Sequence, residues 1–197
     1  MFTGIITDLG RLRSQTPGSV TRLVVETAYD VATVAPGASI ACNGVCLSVV
    51  DKGPGWFAVD VSAETLSCTN IGGWVAGQPI NLERPLKLGD ELGGHLVAGH
   101  IDGVGDVIER RPEGDSLRLR IRTPQALARF VAPKGSIAVD GVSLTVNEIE
   151  GAVFGVNVIP VTLRETGLGR ISPGQRVNLE IDLLARYLAR LMDRERA

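Results

Sequence analysis

The chain has 197 residues, with 20 Lys and Arg against 22 Asp and Glu, a net charge of −2 and a pI near 5.7. That balance argues against nucleic-acid or anionic-membrane partners, which need a basic face, and the length suits two domains of slightly under 100 residues each. Apolar runs fall short of the ~18–20 residues a bilayer span requires, and the opening MFTGIITDLG lacks the basic-then-apolar layout of a signal peptide.

In chain order, Phe2 to Leu12 is β-branched and Gly-containing and predicts a strand. Thr21–Thr27 (TRLVVET) alternates with period 2 after the turn residues Pro17-Gly18-Ser19. Tyr29–Val34 suits one or two helical turns closed by Pro36. SIACNGVCLSVV (Ser39–Val50) then predicts a tight hairpin at Asn43-Gly44, because such turns want positive φ at both central residues. After the turn Val45, Leu47 and Val49 share one face and Cys46 and Ser48 the other. The apolar row must be the core face, which leaves a thiol and a hydroxyl outside.

The pattern then recurs. SIAVDGVSLTVN (Ser136–Asn147) repeats the hairpin 97 residues later, with Ser143 and Thr145 on the outer face. Trp56–Leu66 overlies Val153–Leu163, Gly77–Glu83 overlies Gly174–Glu180, and 19 of 45 positions between 39–83 and 136–180 are identical. Upstream, at an offset of 96, His100–Ile108 is aligned with Phe2–Leu12 and Leu117–Thr123 with Thr21–Thr27; Pro112-Glu113-Gly114 stands as the turn, and Pro124–Val131 as the helical piece before Pro133. Roughly 90 residues carrying six short strands usually close into a barrel, which removes the sheet edges. The expectation is all-β: two homologous six-stranded Greek-key barrels at 1–92 and 93–183, then a C-terminal helix at 184–197.

The tail spaces Ile181, Leu184, Leu188 and Leu191 as 3-4-3, a short helical a/d stripe. It either docks on its own barrel or joins chains, and two heptads do not hold alone. The three cysteines are an odd number without a disulfide framework, which suggests a reducing cytoplasm. Cys42-x3-Cys46 with only His95 and His100 to complete it is not a zinc set, so no metal is expected. Cys42 and Cys68 are assigned to packing, Trp56 and Trp74 to core or rim, and His95 to bracing the Gly93-Gly94 turn.

MFTGII, NGVCLSV, SAETL, GGHLVAGHIDG, DGVSLTV and VNLEIDLLARY resemble riboflavin synthase, of the trimeric and cofactor-free type, from end to end. The resemblance implies dismutation of two 6,7-dimethyl-8-ribityllumazine molecules, by four-carbon transfer, into riboflavin and a ribitylaminopyrimidinedione. One substrate must act as donor and the other as acceptor, so the two units cannot be chemically equivalent; they differ at Cys46/Ser143, Ser48/Thr145, Asn43/Asp140 and Asp60/Asn157. Cys46 and His100 are the candidate catalytic pair, since an imidazole moves protons near neutrality and a thiolate can add to the acceptor or orient it. Ser143 and Asp182 complete the catalytic candidates. For binding, the resemblance points in the first unit to Leu47, Ser48, Asp60, Ala63, Glu64 and Thr65. In the second it points to Lys134, Leu144, Thr145, Asn157 and the run Ile159, Pro160, Val161 and Thr162. Gly4, Ile5 and Ile6, with Gly99 and Ile101, match stretches that act largely through the backbone. It further implies three chains joined through the terminal helix, each site lying between the N-terminal barrel of one and the C-terminal barrel of the next. A non-catalytic lumazine- or flavin-binding antenna protein is the rival reading; a flavin reductase is not supported, for no dinucleotide fingerprint follows.

Overall fold

The computed structural model describes residues 1–194. The last three residues of the expected terminal helix lie outside that range. Six strands close the first barrel: β1 (Asp8–Thr16), β2 (Thr21–Glu26), β3 (Ser39–Cys42), β4 (Val45–Gly53), β5 (Trp56–Val61) and β6 (Pro79–Glu83), in the order β1-β2-β5-β4-β3-β6. The second repeats it with β7 (Gly103–Glu113), β8 (Ser116–Arg122), β9 (Ser136–Val139), β10 (Val142–Glu150), β11 (Val153–Val158) and β12 (Arg176–Ile181). Short helices α1 (Ala63–Cys68) and α2 (Pro160–Glu165) follow β5 and β11, and α3 (Leu183–Arg194) follows β12. The pieces expected to be helical after β2 and β8 shrink to single 3-10 turns, Val31–Thr33 and Ala128–Phe130.

Both hairpins form as expected, with Asn43 and Asp140 at φ of 43° and 45° ahead of Gly44 and Gly141. Val45, Leu47 and Val49 are buried in one core, and Val142, Leu144 and Val146 in the other. Each barrel has its own apolar cluster, and a third cluster of Phe2, Ala41, Val97 and Ala138 lies between them. Across this seam the tips of the two hairpins touch: a Cβ on Gly44 would come within 2.7 Å of Gly141 N, so neither position has room for a side chain. Paired amides close the seam, Asn81 Nδ2 donating to Asp140 O and Asn178 Nδ2 to Asn43 O (2.8 and 3.0 Å).

Four expectations need correction. The first strand starts at Asp8, not Phe2, because Gly4 takes φ +77° and the amides of Thr3 and Gly4 are taken by the Glu83 carboxylate, which ends the sheet ladder. The offset there is 95, not 96. Gly4 and Gly99 (φ +81°) correspond, as do the bulges at Leu12/Ser14 and Val107/Glu109. Pro112 and Glu113 are strand residues, paired with Leu117 and Ser116, and the turn is Gly114-Asp115. Cys68 is also exposed rather than packed, whereas Cys42 is fully buried.

The stripe on the tail points outward. Ile181 belongs to β12 and is buried, but Leu184, Tyr187, Leu188 and Leu191 are all exposed, while Ala185, Arg186 and Ala189 face inward. The helix does sit on its own barrel, but through Arg186, which binds Asp102, and not through that stripe.

Candidate active site

The two hairpins present matched outer faces. On β4 Cys46 is half-buried and Ser48 exposed; on β10 Ser143 is half-buried and Thr145 exposed. Leu47 and Leu144 point into the cores, so they offer the outer faces only backbone groups. Val49 pairs with Val59 and Val146 with Val156, which sets Asp60 next to Ser48 and Asn157 next to Thr145, one residue beyond each pair.

Each face is covered by a segment from elsewhere in the chain, and the two segments cross. Phe2 and Val97 pair antiparallel on the seam. Beyond them the N-terminal segment crosses to the second barrel, where Gly4 O accepts Ser143 N (2.8 Å) and Ile6 packs on the second core. The segment after Val97 crosses to the first barrel, where Gly99 O accepts Cys46 N (2.9 Å) and Ile101 packs on the first core. A Cβ on Gly4 would lie 2.5 Å from Ser143 Cβ, and one on Gly99 would lie 2.6 Å from Cys46 Cβ. The two glycines are therefore required twice over, by contact and by positive φ.

Buried carboxylates clamp both crossings. Glu83 accepts from Thr3 N, the Thr3 hydroxyl and Gly4 N at 2.6–2.9 Å. Glu180 accepts from Ala98 N, Gly99 N and His100 N at 2.6–3.0 Å. Burial raises both pKa values, that of Glu180 to about 6, against the lowering effect of the donated N–H bonds. By this geometry His100, exposed beside Cys46, corresponds to Ile5 on the other face.

The second face has an imidazole of its own. His95 Nδ1 is 2.7 Å from Ser143 Oγ, its backbone N–H donates to Thr3 O, and its Nε2 is buried without a partner. Burial lowers the His95 pKa, opposed by the charge of Asp182, so the ring is held toward its neutral form. Sequence reading gave His95 only a bracing role. The signal was Gly94, where a Cβ would lie 2.1 Å from Thr3 O and 2.9 Å from Ser143 Cβ, but that closeness is invisible without the fold.

The remaining candidates sit around the rims. Ala63, Glu64 and Thr65 open α1, whose N-cap Ser62 accepts from Thr65 N. Ile159 and Val161 are exposed at the start of α2, with Pro160 as its first residue and Thr162 half-buried. Lys134 holds φ +67° where the first unit has Gly37 at +79°, a conformation that costs a non-glycine residue about 1 kcal/mol or more. Asp182 Oδ1 accepts from Leu184 N and so caps α3. Asn157 donates to Glu113, a carboxylate that Arg118 also binds. Two clefts, of about 530 Å³ at the far side of the seam and about 470 Å³ beside the linker, include neither Cys46 nor His100 nor Ser143. On both faces the exposed groups are the outer hydroxyls, Ser48 and Thr145, while Cys46 and Ser143 lie half-buried under the crossing segments. No group of three or more His, Cys, Asp or Glu that could hold a metal ion occurs among the described residues, and no helix there is long and apolar enough to cross a membrane.

Known proteins share this construction. The family model of the lumazine binding domain matches twice, over residues 3–85 and 98–182. LumP in its riboflavin complex superposes with a TM-score of 0.86 at 26% identity over 92% of this chain and 99% of that one; its complex with 6,7-dimethyl-8-(1'-D-ribityl) lumazine gives 0.83 at 26% over 91% and 98%. Fold and faces define a duplicated lumazine-binding barrel protein. The riboflavin synthase of Brucella abortus (strain 2308) is 52% identical, covering 97% of this chain and 98% of its own. That of Mycobacterium bovis (strain ATCC BAA-935 / AF2122/97) is 44% identical over 98% of each. The chain belongs to the riboflavin synthase family, a family of enzymes.

Proposed function

We propose that this chain is a transferase that makes riboflavin from two molecules of 6,7-dimethyl-8-ribityllumazine, releasing 5-amino-6-ribitylaminopyrimidinedione. The observation that carries the reading is the pair of matched faces with unmatched chemistry, Cys46 and His100 on one, Ser143 and His95 on the other. A dismutation needs two like sites for two like molecules, and unlike groups to make one a donor and the other an acceptor. The atoms of two substrates equal those of the two products, so the reaction consumes no oxidant and no second substrate.

In this reading the first half-site is Cys46, Ser48 and His100 with Gly99, Ile101 and the start of α1; the second is Ser143, Thr145 and His95 with Gly4, Ile5, Ile6, Lys134 and the start of α2. His100 moves the proton of the 7-methyl group or of the added nucleophile, and Cys46 adds to or orients the lumazine beside it. Ser143 is oriented by His95 to hydrogen-bond the second ring. Ligand sites bury most of their ligand, and Ser48, Thr145 and His100 are exposed on these faces, which supports their meeting another surface. We assign that surface to a neighbouring chain in a homotrimer held by α3, whose outward Leu184, Leu188 and Leu191 suit a parallel seam. The three unbridged cysteines suit a cytoplasmic enzyme.

Incubating the protein with the lumazine alone and following riboflavin absorbance tests the reaction. Turnover is expected; tight binding with no riboflavin formed would make the chain an antenna-type binder. For the assembly, Leu188→Asp with Leu191→Asp should give a smaller species in sedimentation with unchanged far-UV dichroism. An unchanged species would place the contact on the barrels.

A further inference from the structure

The segment that carries His100 is tied to α3 by a second carboxylate. Asp102 N donates to Leu179 O (2.9 Å), so the segment ends on β12. Asp102 Oδ2 accepts from Ile181 N, the last residue of that strand, at 2.9 Å. Both carboxylate oxygens accept from Arg186 Nη2, at 2.8 and 2.9 Å. The ion pair is shielded, with side-chain exposures of 17% for Asp102 and 31% for Arg186. Between Ala98 and Asp102, then, Glu180 of β12 holds three amides of the segment, and Asp102 of the segment holds an amide of β12 and a guanidinium of α3.

We infer that Asp102 and Arg186 are positioning residues through which the seating of α3 sets the His100 segment over Cys46; the inference rests on the function proposed above. Two observations carry it. The residue equivalent to Asp102 in the first unit is Thr7, whose N–H likewise donates to Leu82 O but whose hydroxyl pairs with Tyr29 instead of with the chain beyond the strand. The ion pair therefore exists only where the strand runs on into a helix. On that helix Arg186 lies on the inward side, and the outward side is the exposed stripe of Leu184, Tyr187, Leu188 and Leu191. Whatever covers the stripe fixes the helix axis, and Arg186 transmits that axis to a backbone two residues from His100. A displacement on the order of 1 Å in a reacting group costs up to about 10²-fold in rate.

The test uses the full-length chain. Arg186→Met keeps the packed stem and removes the charge, and Asp102→Asn keeps the acceptor for Ile181 N and removes the other. Each is expected to lower kcat about 10- to 100-fold and to change KM less than about threefold. The assembly should sediment as before. The double variant should be no worse than either single one, because the two residues act as one unit, and Arg186→Lys should recover most of the rate. Riboflavin titration should show weakening at one of two sites per chain. An unchanged kcat, additive losses in the double variant, or a loss that follows dissociation of the assembly overturns the inference. If the unmodified protein binds riboflavin but makes none, the function proposed above fails. The titration then decides this inference alone, since weakening of one site by Arg186→Met sustains it and no change removes it.

Discussion

The two barrels share a scaffold and differ in the polar and titratable side chains they place on it. What builds the faces is duplicated: Glu83 and Glu180 clamp the crossing segments, Gly4 and Gly99 let them touch the hairpins, and Asn81 and Asn178 close the seam. What could move a proton or hold a charge is not. Cys46 stands against Ser143, His100 against Ile5, Lys134 against Gly37 and Asp140 against Asn43. Under the proposed function a duplicated scaffold would fix two substrates in related poses, and divergence at a handful of positions outside the cores would separate a donor from an acceptor.

The largest effect expected is on turnover, and it breaks the comparison at its chemical end. His100→Ala should lower kcat by about 10²–10⁴-fold, the range for loss of a general acid–base group, and Cys46→Ala should also lower it by orders of magnitude, while thermal unfolding of both stays near that of the parent. Ser143→Val with Thr145→Val damages only the other face. If sites form between chains, mixed oligomers refolded from Cys46→Ala and this double variant regain activity, because some sites pair two intact faces. Sites within one chain would leave the mixture inactive.

A second pair of variants acts on the scaffold. Gly99→Ala places a Cβ against Cys46 in a left-handed conformation, and Gly4→Ala does the same against Ser143. Each should cost about 1–3 kcal/mol of stability. Each should also remove one riboflavin site of two in a fluorescence titration, a different one in each variant. Loss of both sites from either substitution would show that the faces are not independent.

Much of this was legible in the residues. The strands, the Asn43-Gly44 and Asp140-Gly141 hairpins and the outward Cys46/Ser48 and Ser143/Thr145 rows follow from period-2 alternation and turn chemistry, which are local. The crossing of the two segments was not, because it depends on hydrogen bonds spanning 79 to 82 residues, from Glu83 to Gly4 and from Glu180 to Ala98. Without it, the first strand began too early and His100 aligned with the wrong partner. The bond between His95 and Ser143 is hidden from the sequence for the same reason, since it spans 48 residues. The 3-4-3 stripe reads alike whether a helix faces in or out, so its outward side came only with the fold.

The smallest effect expected concerns the seam. Asp140 occupies the place of Asn43, and its carboxylate accepts from Asn178 N (2.8 Å) at the edge of the 530 Å³ cleft. Burial raises its pKa to about 7, against the lowering effect of that bond and of the Asn70 amide. A carboxylate raised on folding keeps its proton in the native state after the unfolded chain has lost it, so stability falls as pH rises from about 4 to 7. Asp140→Asn, the residue the first barrel uses, escapes that loss. The two proteins should unfold at the same temperature near pH 4, and the variant should lead by about 2–4 °C at pH 7.5. That corresponds to on the order of 1 kcal/mol for a chain of this size, less than the full shift implies because the cleft admits water to the carboxylate. Glu83 and Glu180 titrate in both proteins and cancel from the difference. Equal unfolding temperatures at every pH would mean that the cleft hydrates Asp140 as well as bulk water does. The two barrels would then be equivalent at their seam, and their divergence would be confined to the outer faces.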